Sequence, residues 1–300
     1  MNKNNKKILR DFIFILAIII TFLFLLEFSS RVVFNYDFSI LKIIKESNNP
    51  TLLYELKPNA QIVFRGLHRP LPPTTVKTSS QGLRDHEYSL TKPEGVFRII
   101  ILGDSIGMGW GVELEDTAAK QLERLLNMDQ KNKYQVINFS IVGYNFVQEM
   151  ELLEKKCLRY NPDLVVIISC YNDYLPASKG IKFSRFLLKS YLMASLVVKR
   201  ELMIEKNKVL YFQEGISKVR NAFSRLDGMI KGQNLKVLFY KTPDWLKNVI
   251  EEYGLEKNIM LVNSNLRRHV IDKIDGHPDP DGHSLMAQDI YRYLKNQHII

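Results

Sequence analysis

The first 34 residues and the rest of the chain obey different rules. From Phe12 to Leu26 the chain runs Phe, Ile, Leu and Ala with a single Thr, apolar on every side of a helix. A helix buried in a soluble core carries a polar face; one that is apolar all round belongs in a bilayer or deep in a large core. With Glu27-Phe28-Ser29-Ser30 the run nears the roughly 20 residues that span a membrane. From Phe97 onward, short apolar runs alternate with stretches of helical period. Phe97–Leu102, Gln135–Phe139, Leu164–Ser169, Leu235–Tyr240 and Ile259–Val262 are the predicted strands. The run at Leu164 is apolar throughout, the pattern of a strand covered on both faces. Between them, Thr117–Asn127 places Leu122, Leu125 and Leu126 on one face. Phe146–Leu158 places Phe146, Val147, Met150, Leu153 and Cys157 at spacings of three or four. Residues 181–233 are helical in pattern, with an apolar stripe of Phe186, Leu187, Tyr191, Leu192 and Leu196. Ser284–Leu294 closes the chain as a helix with Leu285, Ile290 and Leu294 inward.

Alternating strands and helices predict a mainly parallel five-stranded sheet with helices on both faces, a three-layer α/β/α fold. Residues 31–95 are mixed and turn-rich, with Pro58, Pro70, Pro72 and Pro73 barring a long helix. Short strands are expected at Gln61–Phe64 and Thr74–Thr78. The expected organisation is therefore a tail at 1–11, an anchor at 12–30, a lead-in at 31–95 packed on the main domain, and that domain at 96–300.

Charge adds an orientation. Lys3, Lys6, Lys7 and Arg10 precede the apolar run, and only Arg31 follows it closely. That asymmetry keeps the amino terminus in the cytoplasm and sends the bulk of the chain outside. Glu27 is expected near the outer interface, where its carboxylate meets water. A cleavable signal peptide is the rival reading. The run is long for one, and Glu27-Phe28-Ser29-Ser30-Arg31 is a poor cleavage site, so a retained anchor is expected. The net charge of +10 is otherwise thinly spread. It forms no dense basic stripe, which argues against nucleic acid as a partner. The two cysteines, Cys157 and Cys170, are expected at opposite edges of the sheet and unbridged.

Candidate chemistry gathers where strands end. The first strand stops at Gly103-Asp104-Ser105. Loops after the second and third strands carry Val142-Gly143-Tyr144-Asn145 and Asn172-Asp173. Asp275-Gly276-His277-Pro278, continuing to Gly282-His283, precedes the last helix. In an open parallel sheet these segments share the carboxyl edge, where such folds build their sites. A serine hydroxyl becomes a nucleophile when a neighbouring base takes its proton, and neutral imidazole serves near neutral pH. His283 competes with His277 for that role. A metal held by His277, His283, Asp279 and Asp281 is not expected, nor is a cofactor. Gly107, Gly109 and Gly111 do not have the spacing of a phosphate-binding loop.

Four blocks in this order resemble the SGNH hydrolases, also called the GDSL lipase/esterase superfamily, over about residues 74–300. The chain is most similar to the membrane-anchored branch among bacterial cell-envelope proteins, which Ser80-Gln81-Gly82-Leu83-Arg84-Asp85 and Phe97-Arg98-Ile99 also resemble. The resemblance implies Ser105 as nucleophile, His277 as base and Asp275 as its orienting acid. It implies an oxyanion hole made by the backbone of Ser105, the backbone of Gly143 and the amide of Asn172. Two positions depart from the pattern: Cys170 stands where the third block usually has Gly, and Asp275 lies two residues before the histidine rather than three. The expected activity is an extracytoplasmic serine esterase or O-acyltransferase, acting on acyl, chiefly acetyl, groups of an envelope glycan or on a small ester. The alternative is a catalytically degenerate, membrane-anchored protein that binds glycan or serves as a scaffold. Hydrolysis versus transfer and the oligomeric state are not legible in the sequence.

Overall fold

The computed structural model describes residues 3–34, 37–66, 71–128, 133–177, 190–206, 208–255, 259–262, 269–271 and 276–300. Helix α1 (Lys3–Phe34) carries the apolar run. Its stretch Asn5–Val33 is long and apolar enough to cross a membrane, and its most apolar window is unburied. A signal sequence has the same properties.

A short 3₁₀ turn at Phe38–Ile43 leads into two antiparallel hairpins, β1 (Ile44–Glu46) with β2 (Tyr54–Leu56) and β3 (Gln61–Phe64) with β4 (Thr74–Lys77). In β3 the alternation is plain: Ile62 and Phe64 point inward, Gln61 and Val63 outward.

The sheet contains β5 (Phe97–Gly103), β6 (Tyr134–Asn138), β7 (Leu164–Ile168), β8 (Lys236–Tyr240) and β9 (Ile259–Val262). Its order is β6-β5-β7-β8-β9 and every pairing is parallel. The three-layer α/β/α expectation is borne out. Period-two alternation divides the core. Ile99 and Ile101 of β5, with Leu164 and Val166 of β7, face α3 (Ala118–Leu126) and α8 (Pro280–Asn296). Ile100 and Leu102, with Val165 and Ile167, face the other layer. That layer is α4 (Phe146–Lys155), α6 (Lys208–Gln233) and α7 (Asp244–Glu252). Phe146 and Phe223 stack at 5.7 Å, and both rings pack near Phe239 of β8. The inward residues of both hairpins, Tyr54, Ile62 and Phe64 among them, join this same core.

The structure alters several boundaries. Helix α8 begins at Pro280, four residues before its apolar period starts, because Asp279 caps it. Asp279 Oδ1 accepts from Gly282 N–H at 2.7 Å, and Pro280 opens the first turn. The helix expected over 146–158 ends at Lys155 and gives way to a 3₁₀ turn, Cys157–Tyr160. The segment expected to be helical over 181–233 is described from Ser190, as α5 (Tyr191–Lys206) and α6. Phe186 and Leu187 lie outside the described residues. Both cysteines are buried and free. Glu27 does not simply meet water. Its carboxylate accepts from Ser190 Oγ at 2.8 Å, Tyr191 N–H at 2.7 Å and Leu192 N–H at 3.0 Å, and pairs with Arg31 at 3.0 Å. Those are donors at the start of α5, which no intrahelical acceptor can satisfy.

Candidate active site

Strand β5 sits between β6 and β7, so the chain leaves it toward one neighbour and later returns on the other side. At such a switch point, loops diverge and leave a crevice at the carboxyl edge. Gly103-Asp104-Ser105 emerges there. Asp104 turns the chain: its Oδ1 accepts from Ile106 N–H at 2.8 Å and caps the single turn α2 (Ser105–Met108). Ser105 is the first residue of that turn, where a backbone N–H has no acceptor within the helix. Ser105 is half-buried.

The floor beneath Ser105 is held by polar groups. The guanidinium of Arg84, 2% exposed, donates to the carbonyls of Met108 at 3.0 Å, Val112 at 2.5 Å and Gly109. Burial lowers its pKa to about 10, with Glu113 opposing the shift, and it stays charged at neutral pH. Asn138, at the end of β6, donates its amide to Gly107 O at 2.8 Å and accepts from Ser140 N–H at 3.0 Å. Its own N–H reaches Asp85 Oδ2 at 2.7 Å, and Asp85 is paired in the interior with Lys120 at 2.7 Å. Ile141 N–H donates to Gly103 O at 3.1 Å. The loops after β5 and β6 are thereby tied along their length. A side chain at Gly107 would bring its Cβ within 2.3 Å of Ser140 Oγ, so the close approach requires glycine.

Gly143 follows on that second loop. Its φ of +73° lies in the left-handed region that glycine enters without penalty. A Cβ there would also stand 2.9 Å from the hydroxyl of Tyr54, which donates to Val142 O at 2.7 Å. The first hairpin therefore forms a wall of this loop. Asn145 then caps α4 in a reciprocal capping box with Gln148. Its amide nitrogen reaches Leu175 O at 2.7 Å, and Phe146 N–H reaches Asp173 O at 3.1 Å. This joins the second loop to the third. On the third loop, Asp173 Oδ2 accepts from Cys170 N–H at 2.7 Å. The side-chain oxygen of Asn172 is buried with no hydrogen-bond partner among the described residues, so it ties none of them into the loop.

His277 arrives from 172 residues away and places Nε2 at 2.8 Å from Ser105 Oγ. Its segment is held by a short antiparallel contact. Ile271 N–H donates to His277 O at 2.9 Å, Val270 bridges Pro278, and Asp279 N–H donates to His269 O at 3.2 Å. The ring of Trp110 stacks on the imidazole with centroids 5.7 Å apart and planes 30° off parallel. Trp110 is in turn met edge-on by Phe64 of the second hairpin at 4.3 Å. Asp275 lies outside the described residues. His283 is fully buried in α8, where its Nδ1 accepts from Ala118 N–H at 3.2 Å. Burial lowers its pKa to about 3, so it stays neutral and belongs to the packing of α3 on α8.

Besides Asp85, the carboxyl groups of Asp104, Asp173 and Glu149 of α4 lie buried in this region. Burial pushes each upward in pKa, and for Asp173 and Glu149 the neighbouring acids add to the shift. Neither oxygen of Glu149 has a hydrogen-bond partner among the described residues. Arg84, Trp110 and Glu149 had no role in the reading from sequence. For Glu149 a signal existed: it falls on the stripe of Phe146, Met150 and Leu153, a carboxylate on the apolar face of its helix.

No protein-family model and no curated protein matches the chain. Solved structures do align with it. A psychrotrophic esterase, EstA, from Pseudoalteromonas sp. is 16% identical over 68% of this chain and 99% of its own, with a TM-score of 0.46. An acetyl xylan esterase, AlAXEase, is 16% identical over 66% of this chain and 100% of its own, at 0.42. A two-domain esterase active on acetylated mannans, CEX, is 15% identical over 67% of this chain and 49% of its own, at 0.44. At these identities the residues' roles have to come from the site's own geometry.

Proposed function

We propose that this chain is a serine hydrolase of the SGNH (GDSL) type, cleaving or transferring an acyl ester through Ser105 and His277. The observation that carries the reading is the 2.8 Å contact between Ser105 Oγ and His277 Nε2, made across the whole domain at the carboxyl edge of the sheet. Neutral His277 takes the hydroxyl proton as Oγ attacks the ester carbonyl, and the carbonyl oxygen becomes negative. The N–H of Ser105, the N–H of Gly143 and the amide of Asn172 are the donors proposed for that oxyanion. His277 then returns the proton to the departing alcohol, leaving an acyl-serine. Water or a sugar hydroxyl, deprotonated by the same histidine, releases the acyl group. Asp275 is the acid proposed to orient the imidazole and stabilise its charged form.

The substrate reading is a short acyl group, chiefly acetyl, on an envelope glycan outside the cytoplasm. It follows from the resemblance in the motif blocks and from α1 as a retained anchor with its basic residues on the cytoplasmic side. The full chain in detergent, treated with a fluorophosphonate, is expected to label at Ser105 and to hydrolyse a short aryl ester. Ser105→Ala should abolish labelling and lower turnover by about 1000-fold or more. A folded wild-type chain that takes no label would instead favour the binding or scaffold reading.

A further inference from the structure

The contact between α1 and α5 has no part in the chemistry above. Along Asn5–Val33, the shielded residues are Glu27 and Ser30, on adjoining turns. On the other side Ala194 and Ser195 are buried, at 1% and 0% exposure. Small side chains let the two helices approach closely there. Because shielding is confined to one end of α1, α5 crosses the anchor rather than running down it. Glu27 fixes the crossing by accepting from Ser190, Tyr191 and Leu192 at the start of α5. Tyr191 is clasped by the guanidinium of Arg31, 5.1 Å from its ring centroid, and by Phe38 at 5.1 Å. A tyrosine and an arginine at the end of an apolar span are what headgroup-level anchors look like.

The outward face of α5 has a definite chemistry. Leu196, Lys199, Arg200 and Met203 are exposed and recur at i, i+3, i+4 and i+7, one face of a helix. Leu196 is 48% and Met203 51% exposed. Exposed apolar side chains interleaved with basic ones suit the boundary between acyl chains and anionic headgroups. Each Lys or Arg near an anionic surface strengthens association about fivefold. The face is also continuous with the span itself, since α5 starts at the end of α1.

We propose that α5 is a membrane-surface helix: Glu27 holds its amino-terminal end on the end of the anchor, and the face bearing Leu196, Lys199, Arg200 and Met203 lies on an anionic lipid surface. This rests on α1 being a retained span. The domain would then be held at a set height over the bilayer, with its site working on substrate close to the membrane rather than free in solution.

The test is site-directed nitroxide labelling of the full chain in vesicles of phosphatidylcholine with phosphatidylglycerol. Labels go at Leu196→Cys, at Ile18→Cys within the span, and at Ser217→Cys on exposed α6. The buried Cys157 and Cys170 are replaced by Ser. Oxygen reports acyl chains and a water-soluble nickel chelate reports the aqueous phase. The expected result is bilayer contact at Ile18 and Leu196 and aqueous contact at Ser217. Adding Glu27→Ala should move Leu196 to the aqueous pattern and leave Ile18 unchanged. Replacing Lys199 and Arg200 by Gln should weaken the lipid signal at Leu196, and only where phosphatidylglycerol is present. An aqueous Leu196, or one shielded from both reagents, with Ile18 still in the bilayer overturns the proposal alone. An aqueous Ile18 overturns the anchor reading and the proposal together. Lipid contact at Leu196 that survives Glu27→Ala overturns the role assigned to Glu27.

Discussion

Ser105 and His277 meet at one point, but the two sides that deliver them are built differently. The serine side is bound from beneath: three sheet loops are cross-linked by Asn138, Asn145 and Asp173, and Arg84 gathers three carbonyls of the turn that follows the nucleophile. On the histidine side the described residues show backbone hydrogen bonds to residues 269–271 and a tryptophan laid on the ring. The difference teaches where precision comes from. On the serine side it is distributed over many buried polar contacts, each costly to lose. On the histidine side the described contacts are backbone pairing and one stacked ring.

The sharpest way to break this contrast is at the proposed oxyanion donors. Asn172→Ala should reduce turnover of an aryl ester by about 100- to 1000-fold with little change in stability. Its carboxamide oxygen has no hydrogen-bond partner among the described residues, so steady-state kinetics beside a thermal melt separates the two effects. An equal loss of stability would return Asn172 to a structural role.

Next in size is the floor itself. Arg84→Met leaves the carbonyls of Met108, Gly109 and Val112 without their buried donor. It should destabilise the protein by about 3 kcal/mol, read by urea titration, with activity lost in step. An unperturbed midpoint would mean that the nucleophile turn holds itself.

A third prediction concerns the buried acids. Glu149 has a folded-state pKa held well above 4.5 by burial and by Asp173 and Asp104. The folded chain therefore keeps a proton that the unfolded chain releases above pH 4.5. Its stabilising contribution is fully present below that pH and is lost as pH rises toward the folded value. Glu149→Gln removes this penalty. The variant's advantage should be small at pH 4 and grow by about 1.4 kcal/mol per pH unit across that window. Melting curves against pH test it, and a shift of the same size at every pH would count against a buried protonated acid.

The smallest effect is expected at Trp110. An aromatic contact is worth about 1 kcal/mol, so Trp110→Leu should lower kcat about fivefold through the misaligned imidazole, with KM unchanged. A change confined to KM would make Trp110 a substrate contact instead.

How much of this the sequence disclosed depends on how local each cause is. The runs at Ile99 and Leu164 were legible because a strand covered on both faces must be apolar throughout. The end of the first strand at Gly103-Asp104-Ser105 was legible because the apolar run stops there. Strands as short as Ile44–Glu46 and Tyr54–Leu56 carry too few residues for a period to show. Helix Asp244–Glu252 is nine residues long, so the spacing of Trp245, Leu246, Val249 and Ile250 has no room to repeat. Helix α8 starts ahead of the period expected from Ser284 because the cap at Asp279 and the proline after it, not apolar spacing, set its first turn. At the site, Ser105 and His277 were legible as motif positions. Arg84 stood in a resembling block with no role attached, and Trp110 in none, because their roles arise from carbonyls and rings far away in the chain. Glu27 shows the same limit: a carboxylate at the end of an apolar helix announces itself, but its partners on α5 do not.

One phenol has a practical consequence. The hydroxyl of Tyr54 stands against Gly143 and holds the carbonyl of Val142, yet it belongs to a hairpin that ends long before the sheet begins. A shortened chain cut just before Phe97 would keep Ser105, Gly143, Asn172 and His277 but lose this brace together with Arg84 and Asp85, the polar floor of the nucleophile turn. The natural place to divide this protein for soluble expression is therefore ahead of Asp37, which caps the 3₁₀ turn and accepts from Arg65 N–H, and a fragment trimmed to the sheet should be expected to lose both the second loop's brace and the floor of the nucleophile turn.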